Sequence, residues 1–202
     1  MVLCLGATGA GKTVLLKKLA GGEEVTRYTK IIPTVGINHF DIEIQLMPID
    51  GDDRKKKKDK NRPPVVQVKE LGGELAPNWP QYLNQQNERK VVYVIDVSDF
   101  TKVSEVAVHL VECFKSLSGG CTGEGDKSSI IILYSKTDLL PERRVNAEIQ
   151  RYRYLLRLSS LISWYEKSVN VTEYCYSAWT DLAGAPAVKN WLLYTAKESE
   201  HR

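Results

Sequence analysis

The feature that most constrains the fold is a glycine-rich segment that directly follows the apolar run 2–5. It reads Gly-Ala-Thr-Gly-Ala-Gly-Lys-Thr over residues 6–13 and fits the pattern GxxxxGK[ST] between a predicted strand and a predicted helix. Glycines let backbone N–H groups turn inward around an anion. The motif therefore predicts a phosphate-binding loop. The alternative, a glycine-rich turn that binds nothing, leaves Lys12 and Thr13 without a purpose.

Each part of this loop has an expected task in holding a nucleotide. Lys12 is expected to place its charge between the β- and γ-phosphates, and the Thr13 hydroxyl to bind Mg²⁺. The helix that begins near Lys12 directs its positive dipole end at the same phosphates. The predicted nucleotide-binding residues of the loop are Gly6, Ala7, Thr8, Gly9, Ala10, Gly11, Lys12 and Thr13.

Apolar, β-branched runs alternate with helical patterns along the rest of the chain. The predicted strands are 2–5, 37–49, 65–70, 91–96, 129–135 and 171–176, and the predicted helices are 12–20, 100–117, 144–164 and 185–198. Runs that are apolar on both faces are typical of parallel strands between helices, and two strands without a helix between them predict an antiparallel hairpin. We therefore expect an α/β fold. It is a single domain over residues 1–202, with a mostly parallel six-stranded sheet, helices on both faces and one hairpin.

Positive charge is concentrated in the predicted hairpin tip, residues 50–64. The whole chain has a net charge of +3, whereas residues 52–62 alone contribute +4. The protein is therefore not expected to bind nucleic acid through a general basic surface. We expect a flexible basic insertion here. The alternatives are a weak contact of Lys55 to Lys58 with an anionic membrane, or nuclear targeting.

Other sequence features point to a compartment. No apolar stretch approaches the roughly 18 residues of a membrane span, and the four cysteines lack disulfide or metal spacing. The chain enters a strand at once, has Val at position 2 and ends without a prenylation signal, so we expect no secretory leader and no lipid anchor. These features lead us to expect a cytoplasmic protein, and we take it to be a monomer.

Four further segments fall in the order that a GTP-dependent switch requires. They are Pro-Thr-Val-Gly at 33–36, Glu-Leu-Gly-Gly-Glu at 70–74, Ser-Lys-Thr-Asp at 135–138 and Ser-Ala-Trp at 177–179. Each segment alone could be a turn or a solvated strand end. Together with the loop at 6–13 they predict a guanine-nucleotide site.

At these residues the chain resembles the Arf-like branch of the Ras superfamily over nearly its whole length. The Pro-Thr-Val-Gly-Ile-Asn block, the pair Gly72-Gly73, Trp79 and Tyr82 carry the likeness. The resemblance implies a Ras-like G domain that binds GTP, GDP and Mg²⁺ and acts through effector and regulator proteins. The positions that match the partner-facing aromatics of that branch are Ile37, Lys69 and Tyr82, beside Trp79. Lys69 stands where the branch has Trp, so the usual partners are not expected.

The resemblance also assigns the guanine-reading residues. The Asp138 carboxylate is expected to accept hydrogen bonds from guanine N1–H and N2–H₂, which adenine lacks. Lys136 would lie along the base, and the backbone N–H of Ala178 would donate to guanine O6. Ser135 and Ser177 complete this set. Since Ser135 replaces the Asn of the branch, a lower affinity for guanine is expected.

The remaining assigned residues surround the γ-phosphate. Thr13, Thr34 and Glu70 are the expected metal residues, with Thr34 in reach only when the γ-phosphate closes its segment. The backbone N–H of Gly73 would donate to that phosphate. Glu70 stands where the family has Asp, and Glu74 stands where it has the Gln that orients the attacking water. We therefore assign Gly73 and Glu74 to the hydrolytic site and expect slow hydrolysis.

Three functions remain open at this point. The chain could be a GTP-hydrolysing switch, a nucleotide-gated scaffold that scarcely hydrolyses GTP, or a phosphate-loop kinase for a small molecule. A kinase needs an arginine-rich lid over the transferred phosphate. The available arginines follow Asp138, and the strand before them is not the one that would carry such a lid. They are Arg143, Arg144, Arg151 and Arg153.

Overall fold

The computed structural model describes residues 1–21, 25–44, 63–85, 90–119, 127–180 and 184–200. Within these ranges the strands are β1 Val2–Leu5, β2 Ile37–Glu43, β3 Val65–Leu71, β4 Lys90–Asp96, β5 Ser128–Ser135 and β6 Val169–Cys175. The α-helices are α1 Lys12–Ala20, α2 Trp79–Asn84, α3 Val103–Ser118, α4 Val145–Leu155, α5 Leu158–Tyr165 and α6 Gly184–Glu200. Short 3-10 helices lie at Gly73–Asn78, Phe100–Lys102, Thr137–Leu139 and Glu142–Arg144. Across the described residues, no helix combines the length and the apolar character needed to cross a membrane.

The strands form one sheet in the order β2-β3-β1-β4-β5-β6. Only β2 and β3 pair antiparallel, with Ile37 opposite Leu71 and Glu43 opposite Val65. All other pairs are parallel. This arrangement confirms the predicted mostly parallel six-stranded sheet with one hairpin. The carboxyl ends of the parallel strands meet at one edge, where ligands bind in folds of this kind.

Two apolar clusters cover the two faces of the sheet. Along β1, Val2 and Cys4 join the cluster that includes α1 and α6, whereas Leu3 and Leu5 join the one that includes α2 to α5. Successive side chains of a strand point to opposite faces, so a strand buried on both sides must be apolar throughout. The helices on both faces confirm that part of the predicted fold.

One predicted helix is wrong in its extent. The pattern over 144–164 predicts a single helix, but the structure has α4 and α5 with a break at Arg157, which has a left-handed φ of 48°. Leu156 and Leu158 are both buried in the same core cluster. In a continuous helix these two side chains would point about 200° apart. The break lets both of them reach the core.

The predicted hairpin is described only in part. Residues 45–49 of the predicted strand 37–49 and residues 50–62 of the predicted basic loop lie outside the described ranges. Beyond the ladder, the Ile44 N–H donates to the Pro64 carbonyl at 2.9 Å. The sequence reasoning also missed the 3-10 helix Gly73–Asn78 and α2, since both are short. The one signal for α2 was Pro80 in its first turn.

Candidate functional site

The glycine-rich segment forms a tight loop between β1 and α1. Gly6 has a φ of +145°, and a Cβ at this position would lie 2.3 Å from the Val94 carbonyl oxygen. Only glycine can therefore bring the chain so close to the end of β4. Gly11 caps α1 in a left-handed conformation, so the loop ends where the helix begins at Lys12.

Lys12 lies over its own loop at this helix terminus. Its side chain is 5% exposed, and Nζ donates to the carbonyl oxygens of Gly6 at 2.7 Å and Ala7 at 3.0 Å. Burial lowers the pKa of the Lys12 ammonium group. An anion bound beside Lys12 would oppose this effect, because it stabilises the charged form.

Three oxygen-bearing side chains from distant segments meet next to Lys12. Thr13 Oγ1 donates to Glu70 Oε1 at 2.6 Å and lies 3.1 Å from Thr34 Oγ1. Thr34 Oγ1 donates to the same Glu70 oxygen at 3.2 Å, and Asn38 Nδ2 donates to Glu70 Oε2 at 3.1 Å. Glu70 is only 1% exposed. A buried carboxylate beside two hydroxyl groups is a set of hard oxygen donors, and it fits the preference of Mg²⁺.

The glycine pair Gly72-Gly73 packs against the glycine-rich loop 6–13. A Cβ on Gly73 would lie 2.3 Å from the Thr8 nitrogen, so no larger residue fits here without a shift of the loop. The Trp79 indole Nε1 donates to the Gly72 carbonyl oxygen at 3.3 Å, and this hydrogen bond helps to fix the glycine pair in place. Glu74, the next residue, is exposed and is not one of the residues that line the cavity described below.

The predicted base-reading residues form two contact groups. Asp138 Oδ1 accepts a hydrogen bond from Ser177 Oγ at 2.8 Å, which joins the segments after β5 and β6. Lys136 Nζ forms an ion pair with Asp96 Oδ2 at 2.6 Å, at the end of β4. These contacts place both motifs at the carboxyl edge of the sheet.

Ser135 faces the backbone of the glycine-rich loop 6–13. Its Oγ lies 2.7 Å from the Ala10 carbonyl oxygen and 3.0 Å from the Ile95 carbonyl oxygen, and it can donate its one proton to either. The side chain is buried. Ser135 therefore links β5 to the loop, which is a task that a short hydroxyl can perform.

Two lysines that the sequence reasoning missed also contact the site. Lys18 on α1 donates to the Ala178 carbonyl oxygen, and its Nζ lies 4.2 Å from the centroid of the Trp179 ring. Lys102 donates to the Thr8 carbonyl oxygen. Neither belongs to a motif, so no local pattern could have identified them.

A cavity of about 420 Å³ joins several of these segments. Its predicted members are Thr8, Gly9, Gly11, Lys12, Thr13, Thr34, Glu70, Gly73 and Lys136. It is also lined by Val14 and by residues of the segment before β2, namely Arg27, Thr29, Ile31, Ile32 and Pro33. The other predicted residues are not among its lining: Gly6, Ala7, Ala10, Glu74, Ser135, Asp138, Ser177 and Ala178.

The predicted partner surface needs one correction. Trp79 is only 3% exposed, because it packs edge-on against Tyr93 and His109 in the core. It supports the Gly72 carbonyl instead of offering a surface. Ile37 and Tyr82 are partly buried against the same core cluster.

Sequence comparisons match this chain to one protein family. The sequence pattern of the ADP-ribosylation factor family matches residues 1–187. ADP-ribosylation factor-like protein 16 of Homo sapiens is 31% identical over 206 residues, which cover 99% of this chain and 88% of that protein.

Solved structures share the fold. The Arl6 small GTPase from Trypanosoma brucei, with the bound nucleotide analogue GppNp, has a TM-score of 0.66 at 17% identity and covers 98% of this chain and 96% of its own. A chain of the signal recognition particle receptor SRb-GTP/SRX complex from Chaetomium thermophilum has a TM-score of 0.60 at 16% identity. It covers 95% of this chain and 96% of its own. The family match spans most of the chain, and the fold is that of small GTPases. The chain therefore belongs to the ADP-ribosylation factor family and is an Arf-like small GTPase.

Proposed function

We propose that this protein is a regulatory switch that binds GTP and GDP together with Mg²⁺ and hydrolyses GTP slowly. One observation carries the proposal. The phosphate-binding loop, Thr34, Glu70, Gly73 and Lys136 come from distant parts of the chain and line one cavity. A cavity at the carboxyl edge of such a sheet, lined by a buried lysine and a glycine-rich loop, suits a nucleotide polyphosphate.

In this proposal the chain holds the phosphates and the metal with separate groups. Lys12 and the loop N–H groups bind the phosphates, and the N–H of Gly73 reaches the γ-phosphate. Thr13, Thr34 and Glu70 hold Mg²⁺, since they offer hard oxygen donors within 2.6–3.2 Å of one another. Bound there, Mg²⁺ would offset the negative charge of the phosphate oxygens.

The base would be read at the ends of β5 and β6. Asp138 accepts from guanine, Ala178 donates through its backbone N–H, and Lys136 lies along the base. The hydrogen bond from Ser177 to Asp138 fixes the carboxylate, and the loop contact of Ser135 joins the base site to the phosphate site. This division explains how a Ser at position 135 can serve a guanine-binding protein.

Partner proteins would recognise the nucleotide-bound state at the hairpin and at the segment after β3. Ile37, Lys69 and Tyr82 are the partly exposed residues that we assign to this surface. As finer points of the same proposal, the protein acts in the cytoplasm as a single domain and as a monomer.

The nucleotide retained on the purified protein tests the proposal directly. We expect GDP or GTP, identified by chromatography and mass spectrometry after acid release. Competition between GTP and ATP for the emptied protein should favour GTP by at least about a hundredfold, because a carboxylate rejects adenine. Equal binding of ATP would contradict the guanine site.

The Glu74→Gln variant tests the expectation of slow hydrolysis. An ionised carboxylate offers only acceptor oxygens and repels the phosphate oxygens that it must approach, whereas Gln can donate and accept. We expect the single-turnover hydrolysis rate of Glu74→Gln to exceed that of the parent by roughly tenfold, which needs only about 1.4 kcal/mol.

Glu142→Gln is the matched control for this variant. Glu142 is also exposed and also lies in the first turn of a 3-10 helix, but it lies outside the site, so the rate should not change. A parent rate above that of Glu74→Gln would identify Glu74 as a working general base. If the parent and both variants show no hydrolysis, the nucleotide-gated scaffold is the better description; the exposed position of Glu74 favours that alternative.

A small-molecule kinase receives no support from the four arginines that follow Asp138 in the chain. Arg151 lies over the Phe100 ring, with Cζ 4.7 Å from its centroid, and Arg153 pairs with Glu173. Arg143 and Arg144 lie in the 3-10 helix before α4 and do not line the cavity. No described arginine from this group is placed to cover a transferred phosphate.

A further inference from the structure

Lys102 belongs to none of the nucleotide-binding motifs, yet its ammonium group contacts the phosphate-binding loop. Nζ donates to the Thr8 carbonyl oxygen and lies 4.0 Å from the position that a Cβ on Gly9 would occupy. Lys102 ends the 3-10 helix Phe100–Lys102, which follows β4. Because β4 pairs with β1, the lysine and the loop are carried by neighbouring strands.

This contact fixes the direction of one peptide group. The Thr8–Gly9 peptide is trans, as are the other peptides in the described part of the chain. In a trans peptide the C=O and N–H bonds point in opposite directions. With the Thr8 oxygen held by Lys102, the Gly9 N–H points away from Lys102. Thr8 and Gly9 line the cavity and Lys102 does not, which is consistent with an N–H that faces the cavity.

The charge of Lys102 adds to this geometric effect. A cation bonded to a carbonyl oxygen polarises the peptide and strengthens its N–H as a donor. Burial lowers the pKa of Lys12, and the nearby positive charge of Lys102 lowers it further. Two ammonium groups that repel each other beside one cavity are both stabilised when an anion enters it.

We propose that Lys102 is a positioning residue for the nucleotide phosphates: it holds and polarises the Thr8–Gly9 peptide so that the Gly9 N–H donates to the polyphosphate. This inference rests on the proposed function, since it concerns the same site. Lys102 acts through the peptide and need not touch the nucleotide itself. The alternative is that Lys102 only ties the 3-10 helix to the loop.

The experiment compares Lys102→Met, which keeps the length of the stem but removes the charge, with Lys102→Arg, which keeps a cation. Lys115→Met is the matched control, because Lys115 is an exposed lysine on α3 that pairs with Glu112. Dissociation constants for GDP and for a non-hydrolysable GTP analogue are measured with Mg²⁺ present, and unfolding midpoints are measured without nucleotide.

We expect Lys102→Met to bind both nucleotides roughly tenfold more weakly, as for the loss of a charge-assisted hydrogen bond. Lys102→Arg should stay within about threefold of the parent, and Lys115→Met should match it. The spectroscopic readout is the Gly9 amide proton. On GDP binding this proton should move downfield in the parent, and clearly less in Lys102→Met. If Lys102 only ties the 3-10 helix to the loop, the downfield shift should be the same in both proteins.

The outcomes separate this inference from the proposed function. If the parent binds neither nucleotide, the proposed function fails and the inference fails with it. If the parent binds both but Lys102→Met equals it in affinity and in the Gly9 shift, only the inference is overturned. Should the Met variant unfold, the parent spectrum still decides, because an unmoved Gly9 amide proton on GDP binding overturns the inference.

Discussion

Lys12→Ala is expected to abolish tight binding of GDP and GTP while the fold remains. Lys12 places a buried positive charge at the cavity, and an anionic ligand would lose this partner. Removing one member of a buried charge pair typically costs several kcal/mol, so we expect affinity to fall by more than roughly a hundredfold. Isothermal titration calorimetry with GDP and Mg²⁺ measures the loss.

The fold should survive this substitution at some cost in stability. Lys12 donates to the carbonyl oxygens of Gly6 and Ala7, and their loss of a donor is expected to cost about 1–3 kcal/mol. Lys17→Ala, on the same helix but outside the lining of the cavity, is the control and should keep the parent affinity. Equal affinity of Lys12→Ala and the parent for GDP would refute the phosphate site.

Asp138→Asn is expected to change the base that the protein prefers. The parent carboxylate accepts from the N1–H and N2–H₂ of guanine, whereas an amide can donate to the carbonyl that xanthine carries in place of N2–H₂. We expect GTP affinity to fall by roughly a hundredfold and xanthosine triphosphate to become the better ligand. Competition of both nucleotides against a fluorescent analogue measures the exchange of preference.

The contact of Asp138 with Ser177 makes this substitution informative. Ser177 Oγ donates to Oδ1 of Asp138, and Asn can keep an acceptor oxygen in that place. The side chain should therefore stay in position while its chemistry changes. Asp41→Asn, at an exposed position of β2, controls for the loss of one negative charge. An unchanged preference for GTP in Asp138→Asn would show that this carboxylate does not read the base.

Much of the fold could be predicted because its signals are local. The run 91–96 and the run 129–135 are apolar on both faces, which is typical of strands in a sheet that is covered on both sides. The glycine at position 6 is required by a backbone conformation and a close approach to Val94. Such requirements restrict the residue type at fixed positions, so the sequence reveals them. The hairpin is also visible in the sequence, because two predicted strands follow each other without an intervening helix.

Ser135 shows where sequence reasoning about the site reached its limit. The sequence predicts a weaker grip on guanine, since Ser lacks the amide of Asn. In the structure, the hydroxyl lies within hydrogen-bond distance of a backbone carbonyl oxygen of the loop and one of β4, 125 and 40 residues away in sequence, and it can donate to either. The task of that side chain depends on which backbone groups the fold brings beside it. The residue type alone does not contain this information.

The sequence alone was enough to predict the glycine-rich loop at 6–13, the order of the strands along the chain and the residue types available for a guanine site. Each of these depends on backbone conformation and on residues close in sequence. Other features could be learned only from the folded chain: the break of the helix at Arg157, the burial of Trp79, and the contacts of Lys18 and Lys102. These features arise from packing between distant segments. Burial of Leu156 and Leu158 in the same core stabilises the break in the helix, and the Lys102 ammonium group binds the Thr8 carbonyl oxygen 94 residues away. Contacts of this kind form only in the folded chain and leave no local pattern in the sequence.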